Sequence, residues 1–298
     1  LKLERHPDKN HVSDIQEILN YRAALLQAEE ELQTRPFNLN LLLELHNILL
    51  DSVRGRDKGR GRFRTLQNWI GSPGCPIERA DFVPPDPLML QKYLSAWEKH
   101  YHEESPDLLV QLAVVHAQFE IIHPFSDGNG RLGRILVPLF LFEKGLLSKP
   151  VFYLSAYFER NRDEYIDHLR ALGRRRGAWN RWIEFFLVAI TTQAEANTDS
   201  ARKIINLYER LKEQVIGLTH SRFAIPMLDV LFEHPILSTK HFENRPGLPS
   251  KPMIMALLKK LRQAKILSVV REASGSRPQI LLFDELFNLC EVTHGTHQ

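Results

Sequence analysis

The sequence predicts a mainly helical protein with one short β-hairpin loop in its first half and a small mixed α+β module at its C-terminal end. Three observations lead there. Apolar residues recur at helical spacing on both sides of one glycine-rich segment: Leu108, Leu112, Val115, Phe119 and Ile122 before it, and Leu132, Ile135, Leu136, Leu139 and Phe142 after it. Proline and glycine gather in residues 65–87, where an irregular hairpin-like loop is expected. Short strand-like runs appear only near the end, at residues 266–270 and 279–283, around Ser274-Gly275-Ser276.

Taken in order, residues 12–33 read as an amphipathic helix with Ile15, Ile18, Leu19, Leu25 and Leu26 apolar, and residues 38–53 as a second that begins after Pro36. Residues 54–64 carry Arg54, Arg56, Lys58, Arg60, Arg62 and Arg64 among glycines, and read as a solvated basic loop, with an anion-binding or nuclear-targeting cluster as the alternative. Helices are expected at 87–102 and 106–122. The helix after the glycine-rich segment contains Pro138, which kinks it or is absorbed by packing, and stops at Gly145. Residues 161–195 continue helical, with Arg174, Arg175 and Arg176 as surface charge in the turn before Trp179. A charged connecting helix is expected at 198–218, then helices at 223–232 and 250–264, the latter with Ile254, Leu257, Leu258 and Leu261 inward. Helix–turn–helix followed by a hairpin is the pattern of a winged helix. The division expected is 1–105 for the N-terminal helices and hairpin loop, 106–196 for the catalytic core, 197–220 for the linker helix and 221–298 for the winged-helix domain.

Composition narrows the function. The 298 residues are enough for one to three domains. A net charge of +3 demands no nucleic-acid partner. Cys75 and Cys290 are far apart and form no C-x-x-C, so a disulfide framework or zinc–thiolate site is not expected and a reducing, cytoplasmic setting is. No apolar run is long enough to span a membrane, and no signal peptide is visible. The first residue is Leu1, so a segment before it is expected to be missing.

The chemistry concentrates in His123-Pro124-Phe125-Ser126-Asp127-Gly128-Asn129-Gly130-Arg131-Leu132-Gly133-Arg134. His123 titrates near neutral pH and can accept a proton from an attacking hydroxyl. Asp127 is a hard oxygen ligand suited to Mg²⁺ bridging phosphates. Gly128 and Gly130 let a ligand approach the backbone just where a helix begins, so free N–H groups and the positive dipole end converge in a phosphate nest. Asn129 can add a side-chain donor. Arg131 and Arg134 are three apart, hence on one helix face, where two guanidinium forks can hold successive phosphates. Singly, each residue has a blander reading as turn, cap or solvated charge; their conjunction within twelve residues is what is specific.

The segment resembles the signature of the Fic family, H-x-F-x-[D/E]-G-N-G-R-x-x-R, with no departure at a defined position. Gly61–Gly71 (GRFRTLQNWIG), Ala80–Pro85 (ADFVPP), Tyr153–Tyr165 (YLSAYFERNRDEY) and Trp182–Phe186 (WIEFF) resemble further family stretches, so the likeness covers about residues 12–195. The resemblance implies a helical core with a short β-hairpin flap, and transfer of AMP from ATP to a Tyr, Thr or Ser hydroxyl of a target protein. It assigns the base to His123, the Mg²⁺ ligand to Asp127, the nucleotide contacts to Gly128, Asn129, Gly130, Arg131, Leu132, Gly133 and Arg134, and a place near the nucleotide base to Tyr165. Members that phosphorylate carry Lys where this chain has Gly130, which favours AMP transfer. The C-terminal module is similar to winged helices that many bacterial Fic proteins carry.

The partner implied is a target protein docking at the flap, about residues 65–85, through an added β-strand. DNA is a second candidate, met by Lys251, Lys259, Lys260 and Arg262 of the 250–264 helix and by Arg271 and Arg277 of the wing. A homodimer is left open and no membrane partner is expected. Two functions compete with AMP transfer: a DNA-binding regulator whose core senses nucleotide, and a Fic-type phosphotransferase or AMP-removing enzyme. Fic proteins are commonly restrained by a helix of pattern [S/T]-x-x-x-E-[G/N]. Ser13–Glu17 has the spacing but ends in Ile18, Thr239–Asn244 matches formally within the C-terminal module, and the restraining segment is expected upstream of Leu1.

Overall fold

The two apolar periodicities around the glycine-rich segment close on one another. In a computed structural model, which describes residues 9–51, 59–72, 74–172, 174–243, 245–273 and 279–292, helices α4 (Leu108–Ile122) and α5 (Asn129–Glu143) pack together. Helices α1 (Lys9–Leu32), α2 (Leu39–Leu49) and α3 (Leu90–His102) lie against this pair. Arg54, Arg56, Lys58, Asn244, Ser274–Ser276 and Arg277 lie outside the described residues, as do the side chains of Ile15, Ile18 and Cys290. The chain divides into two units, Leu1–Gln193 and Ala194–Gln298.

Local chemistry sets the helix starts in the first unit. Asn38 accepts the Leu41 N–H at α2, and Asp107 accepts those of Leu109 and Val110 at α4. Helix α4 is buried on most of its surface, so Trp97 and Trp182 pack on it and donate their indole N–H groups to the carbonyls of Val115 and Ala113. Each buried donor is thereby satisfied. Helix α5 runs through the buried Pro138 and ends before Gly145, whose φ of 73° suits glycine. The expected flap hairpin is a single antiparallel bridge: Ile70 and Phe82 exchange N–H···O bonds of 2.9 and 3.1 Å. Pro76, Pro84 and Pro85 remove the donors that a longer ladder would need.

Helices α6 (Ser155–Arg160) and α7 (Arg162–Ala171) are short, and α8 (Ala178–Thr219) is long. The sequence reading placed separate helices at 161–195 and 198–218. The structure corrects this to one continuous α8, because no glycine or proline interrupts residues 178–216.

In the second unit, Leu207, Leu211 and Val215 from α8 share a core with α9 (Ala224–Glu233) and α10 (Lys251–Gln263). Ile254, Leu257, Leu258 and Leu261 of α10 are all buried there. Strands β1 (Ile236–Leu237), β2 (Ser268–Arg271) and β3 (Ile280–Leu282) form an antiparallel sheet in the order β1-β3-β2. Strand β1 and helix α11 (Asp284–Val292) have no counterpart in the sequence reading; two residues are too few to show a period. Among the described residues, no helix is long and apolar enough to cross a membrane.

Candidate active site

Helix α4 ends at His123, held in the left-handed region at φ 47°, ψ 60°. A non-glycine residue there costs about 1–3 kcal/mol. Phe125 then anchors the loop. Its ring is fully buried and stacks on His46 at 3.8 Å between centroids. Asn129 reaches back to Phe125, accepting its N–H at 2.9 Å and donating to its carbonyl at 2.7 Å. The expected ligand-facing donor of Asn129 is therefore corrected: the buried amide closes the loop, and only its backbone N–H is left for a ligand.

Helix α5 starts with an open nest. Gly128, at φ 81°, uses its N–H on Asp127 Oδ1 at 2.7 Å, while the first i→i−4 bond of the helix runs from Leu132 to Gly128. The N–H groups of Asn129, Gly130 and Arg131 thus stand at the positive end of a 15-residue helix with no side-chain cap. A Cβ on Gly128 would stand 3.3 Å from Leu50 Cδ2 and 3.4 Å from His46 Nε2, and its φ of 81° strains any L side chain, so both space and backbone favour glycine here. The Arg134 guanidinium folds over Gly130, its Nη1 3.3 Å from where a Cβ would stand. Arg131 lies 3.6 Å from Asp127 Oδ1 and 3.6 Å from Glu17 Oε1.

Leu132 and Gly133 serve differently. Leu132 is buried in the core. Gly133 faces α4, and a Cβ there would stand 2.1 Å from Glu120 Oε1. The glycine is the notch that lets the Glu120 carboxyl cross between the helices. Burial pushes that carboxyl up to about 7, against the pull of Arg134. Tyr165 is packed against Phe158 and Trp182 and donates its hydroxyl to His116 Nε2 at 3.0 Å, so it faces Glu120 and Arg134 from within an aromatic cluster.

Burial, helped by the nearby Arg64 cation, lowers the His123 pKa to about 4. His123 Nδ1 is sealed from solvent beside the Glu120 carbonyl, outside hydrogen-bond geometry. A proton on that nitrogen leaves the Nε2 lone pair as the basic face. Around neutral pH the imidazole is unprotonated and ready to accept a proton. Among the described residues, no group of three or more His, Cys, Asp or Glu is placed to hold a metal ion. Asp127 is the carboxylate of this loop that would hold Mg²⁺, an ion that takes one or two carboxylates and keeps several waters.

Sequence reading missed His46, Arg64, Glu120 and Glu17. His46 donates from Nε2 to the Asp127 carbonyl at 2.9 Å and accepts the Gly61 N–H on Nδ1 at 2.9 Å. It was legible as a polar residue on the apolar face of Leu42, Leu45 and Leu49. Arg64 is 4% exposed, not solvated as its basic surroundings suggested. Glu17, set aside because Ile18 breaks the restraining pattern, nevertheless meets Arg131.

The α10 cations expected to meet DNA are mostly engaged within the second unit. Lys251 pairs with Glu243 at 3.2 Å, Lys260 donates to the carbonyls of Leu218 and Thr219, and Arg262 reaches Gln279 at 3.4 Å and Glu272 at 3.9 Å. A groove of about 670 Å³ runs along this helix, lined by Met255, Lys259, Arg262, Val269 and Gln279. His123, Asp127 and the N-terminus of α5 belong to the first unit, so groove size does not locate the chemistry.

Comparison with known proteins agrees with the motif. Residues 36–141 match the family model described as Fic/DOC family. A protein of Aquifex aeolicus named Probable protein adenylyltransferase is 38% identical over 94 residues, covering 30% of this chain and 26% of that protein. Protein adenylyltransferase Fic of Nematostella vectensis is 28% identical over 142 residues, 46% of this chain and 30% of that protein. The chain thus spans less than a third of the length of either relative. The crystal structure of a Fic family protein from Desulfovibrio desulfuricans G20 superposes with a TM-score of 0.54 at 20% identity, over 92% of this chain and 76% of that one, a likeness of fold.

Proposed function

We propose that this chain, which carries a Fic/DOC family domain over residues 36–141, transfers AMP from ATP to a hydroxyl of a target protein. The observation that carries this reading is the buried imidazole of His123, its pKa lowered to about 4, at the start of the loop that leads into the N-terminus of α5, a helix that carries Arg131 and Arg134 and has no side-chain cap. A nucleotide sensor needs the nest and the arginines but not the base. The names of the relatives, protein adenylyltransferase, point the same way.

In the proposed reaction, the backbone N–H groups at the start of α5 take the phosphates of ATP next to the scissile bond, and Arg131 and Arg134 neutralise the rest of the chain. Asp127 would hold Mg²⁺, which when bound supplies charge neutralisation between phosphates. His123 Nε2 accepts the proton of the target hydroxyl as its oxygen bonds to the α-phosphorus. The bond from that phosphorus to the bridging oxygen breaks, and pyrophosphate leaves. The flap, with Leu66, Ile70 and Val83 exposed, is where we place the target segment.

Parallel incubation with α-labelled and γ-labelled ATP plus lysate tests this. Protein-bound label is expected from the α position alone. Label from the γ position would make the chain a phosphotransferase, and label from neither would remove the transferase reading.

Two further results are expected. Asp127→Ala should lose transfer activity, with only partial recovery at raised Mg²⁺; full parental activity in excess chelator would take the metal out of the reaction. Because kcat/KM reports groups of the free enzyme, its acid limb should follow His123. The rate should hold through pH 6.5 and fall only toward about 4, as the base becomes protonated. An acid limb near 7 would point to Glu120 instead.

The second unit has the element order of a winged helix, and we read it as one. The internal pairing of Lys251, Lys260 and Arg262 speaks for docking or structural use over a phosphate-reading face. A gel shift on native promoter DNA, run beside the transfer assay, separates the two uses.

A further inference from the structure

Arg64 is, among the described residues, the only buried side chain with a fixed charge. Among the described residues it makes no ion pair; Asp86 is the carboxylate that acts on it, from outside pairing distance. Its guanidinium donates only to backbone carbonyls. Nε reaches His123 O at 2.9 Å, Nη2 reaches Pro85 O and, at 3.4 Å, Ile122 O, and Nη1 reaches Leu66 O at 3.5 Å. The Arg64 backbone N–H donates to Pro124 O at 2.9 Å.

These acceptors fall into two groups. The carbonyls of Ile122 and His123 belong to the end of α4, which lacks helical donors and carries the negative end of the dipole, so a cation belongs there. Leu66 and Pro85 lie at the two ends of the flap, on either side of the Ile70–Phe82 bridge. Only a planar fork with donors on three nitrogens can bond to both groups at once; an ammonium is a point donor. Two lesser ties run alongside, from Asn68 Nδ2 to Phe125 O at 3.1 Å and from Gln67 Nε2 to Pro84 O at 2.9 Å.

We propose that Arg64 is a positioning residue of the transfer reaction, clamping both ends of the flap to the turn that carries His123 and so fixing the distance between the docked target hydroxyl and the base. This rests on the reading of His123 as base and of the flap as docking edge. A buried, unpaired cation is costly to desolvate, and bonding one turn alone would need only a neutral donor. The clamp explains why a charged fork is kept. It also places positive charge beside His123, in keeping with the base staying neutral. The proton transfer needs the hydroxyl within about 2.6–3.2 Å of the base, and an error of about 1 Å costs about 10²-fold.

The test uses the whole chain as Arg64→Lys and Arg64→Ala, beside parent and His123→Ala. ATP binding is measured by calorimetry, lysate labelling with α-labelled ATP, and the His123 imidazole by NMR titration. Both Arg64 variants are expected to bind ATP within about two-fold of parent and to label about 10²-fold more slowly. In Arg64→Ala the His123 titration should move up toward the ordinary imidazole value, and added guanidinium should restore part of the labelling. Labelling at the parental rate overturns the proposal, and so does a loss of labelling that follows an equal loss of ATP binding. Should the Ala variant fail to fold, Arg64→Lys decides on the same criteria. If His123→Ala still labels, the underlying reading fails; if it is silent while the Arg64 variants label normally, only the clamp fails.

Discussion

His123→Ala is expected to silence AMP transfer while leaving ATP binding close to the parental level. A positioned general base contributes about 10²–10⁴-fold to such a step, and neither of the two buried histidines nearest the loop can replace it. The imidazole of His46 is fully buried with both nitrogens committed, to Asp127 and Gly61. His116 is equally enclosed, bonded to Gly133 and Tyr165 and lowered to about 3. Truncation of His123 should spare the nest, because Asn129, Phe125 and His46 hold that loop without it. Labelling by the variant at near-parental rate would falsify the assignment of the base.

The second large effect belongs to Arg134→Ala, for which a loss of about 10²-fold in transfer is expected from misplacement of the triphosphate. Among the described residues, Arg134 makes no hydrogen bond or ion pair, whereas Arg131 already lies near two carboxylates. Arg134 is therefore the guanidinium with its fork open for a phosphate. Single-turnover rates at saturating ATP should carry most of the loss, since the defect lies in geometry more than in occupancy. A defect wholly recovered by raising ATP would make Arg134 an affinity contact only.

The site was legible where chemistry and local geometry coincide. The helix–loop–helix around residues 123–134 follows from apolar spacing on each side and from Gly128, whose φ of 81° needs a glycine. What stayed hidden depends on contacts between residues far apart in the chain. Arg64 sits in a run of basic residues, and nothing local distinguishes the one that turns inward from neighbours such as Arg60, which pairs with Asp51. Glu120 looks like any helical acid until Gly133 is seen to make room for it from the next helix. Asn129 was read as an added side-chain donor, but its amide is used four residues back, on Phe125. The long α8 was split on a change in composition that does not interrupt a helix.

The approach of Glu17 to Arg131 bears on how the nest meets its ligand. A phosphate arriving at Arg131 finds a carboxylate already near it, so its seating there is an exchange of one anion for another. In such an exchange the guanidinium gains little new neutralisation; the free energy left over is the difference between two similar partners. Arg131 then contributes less to holding ATP than its place in the motif suggests. Its ionic-strength dependence should be correspondingly shallow, since few mobile counterions are released from a cation that its own chain has already neutralised.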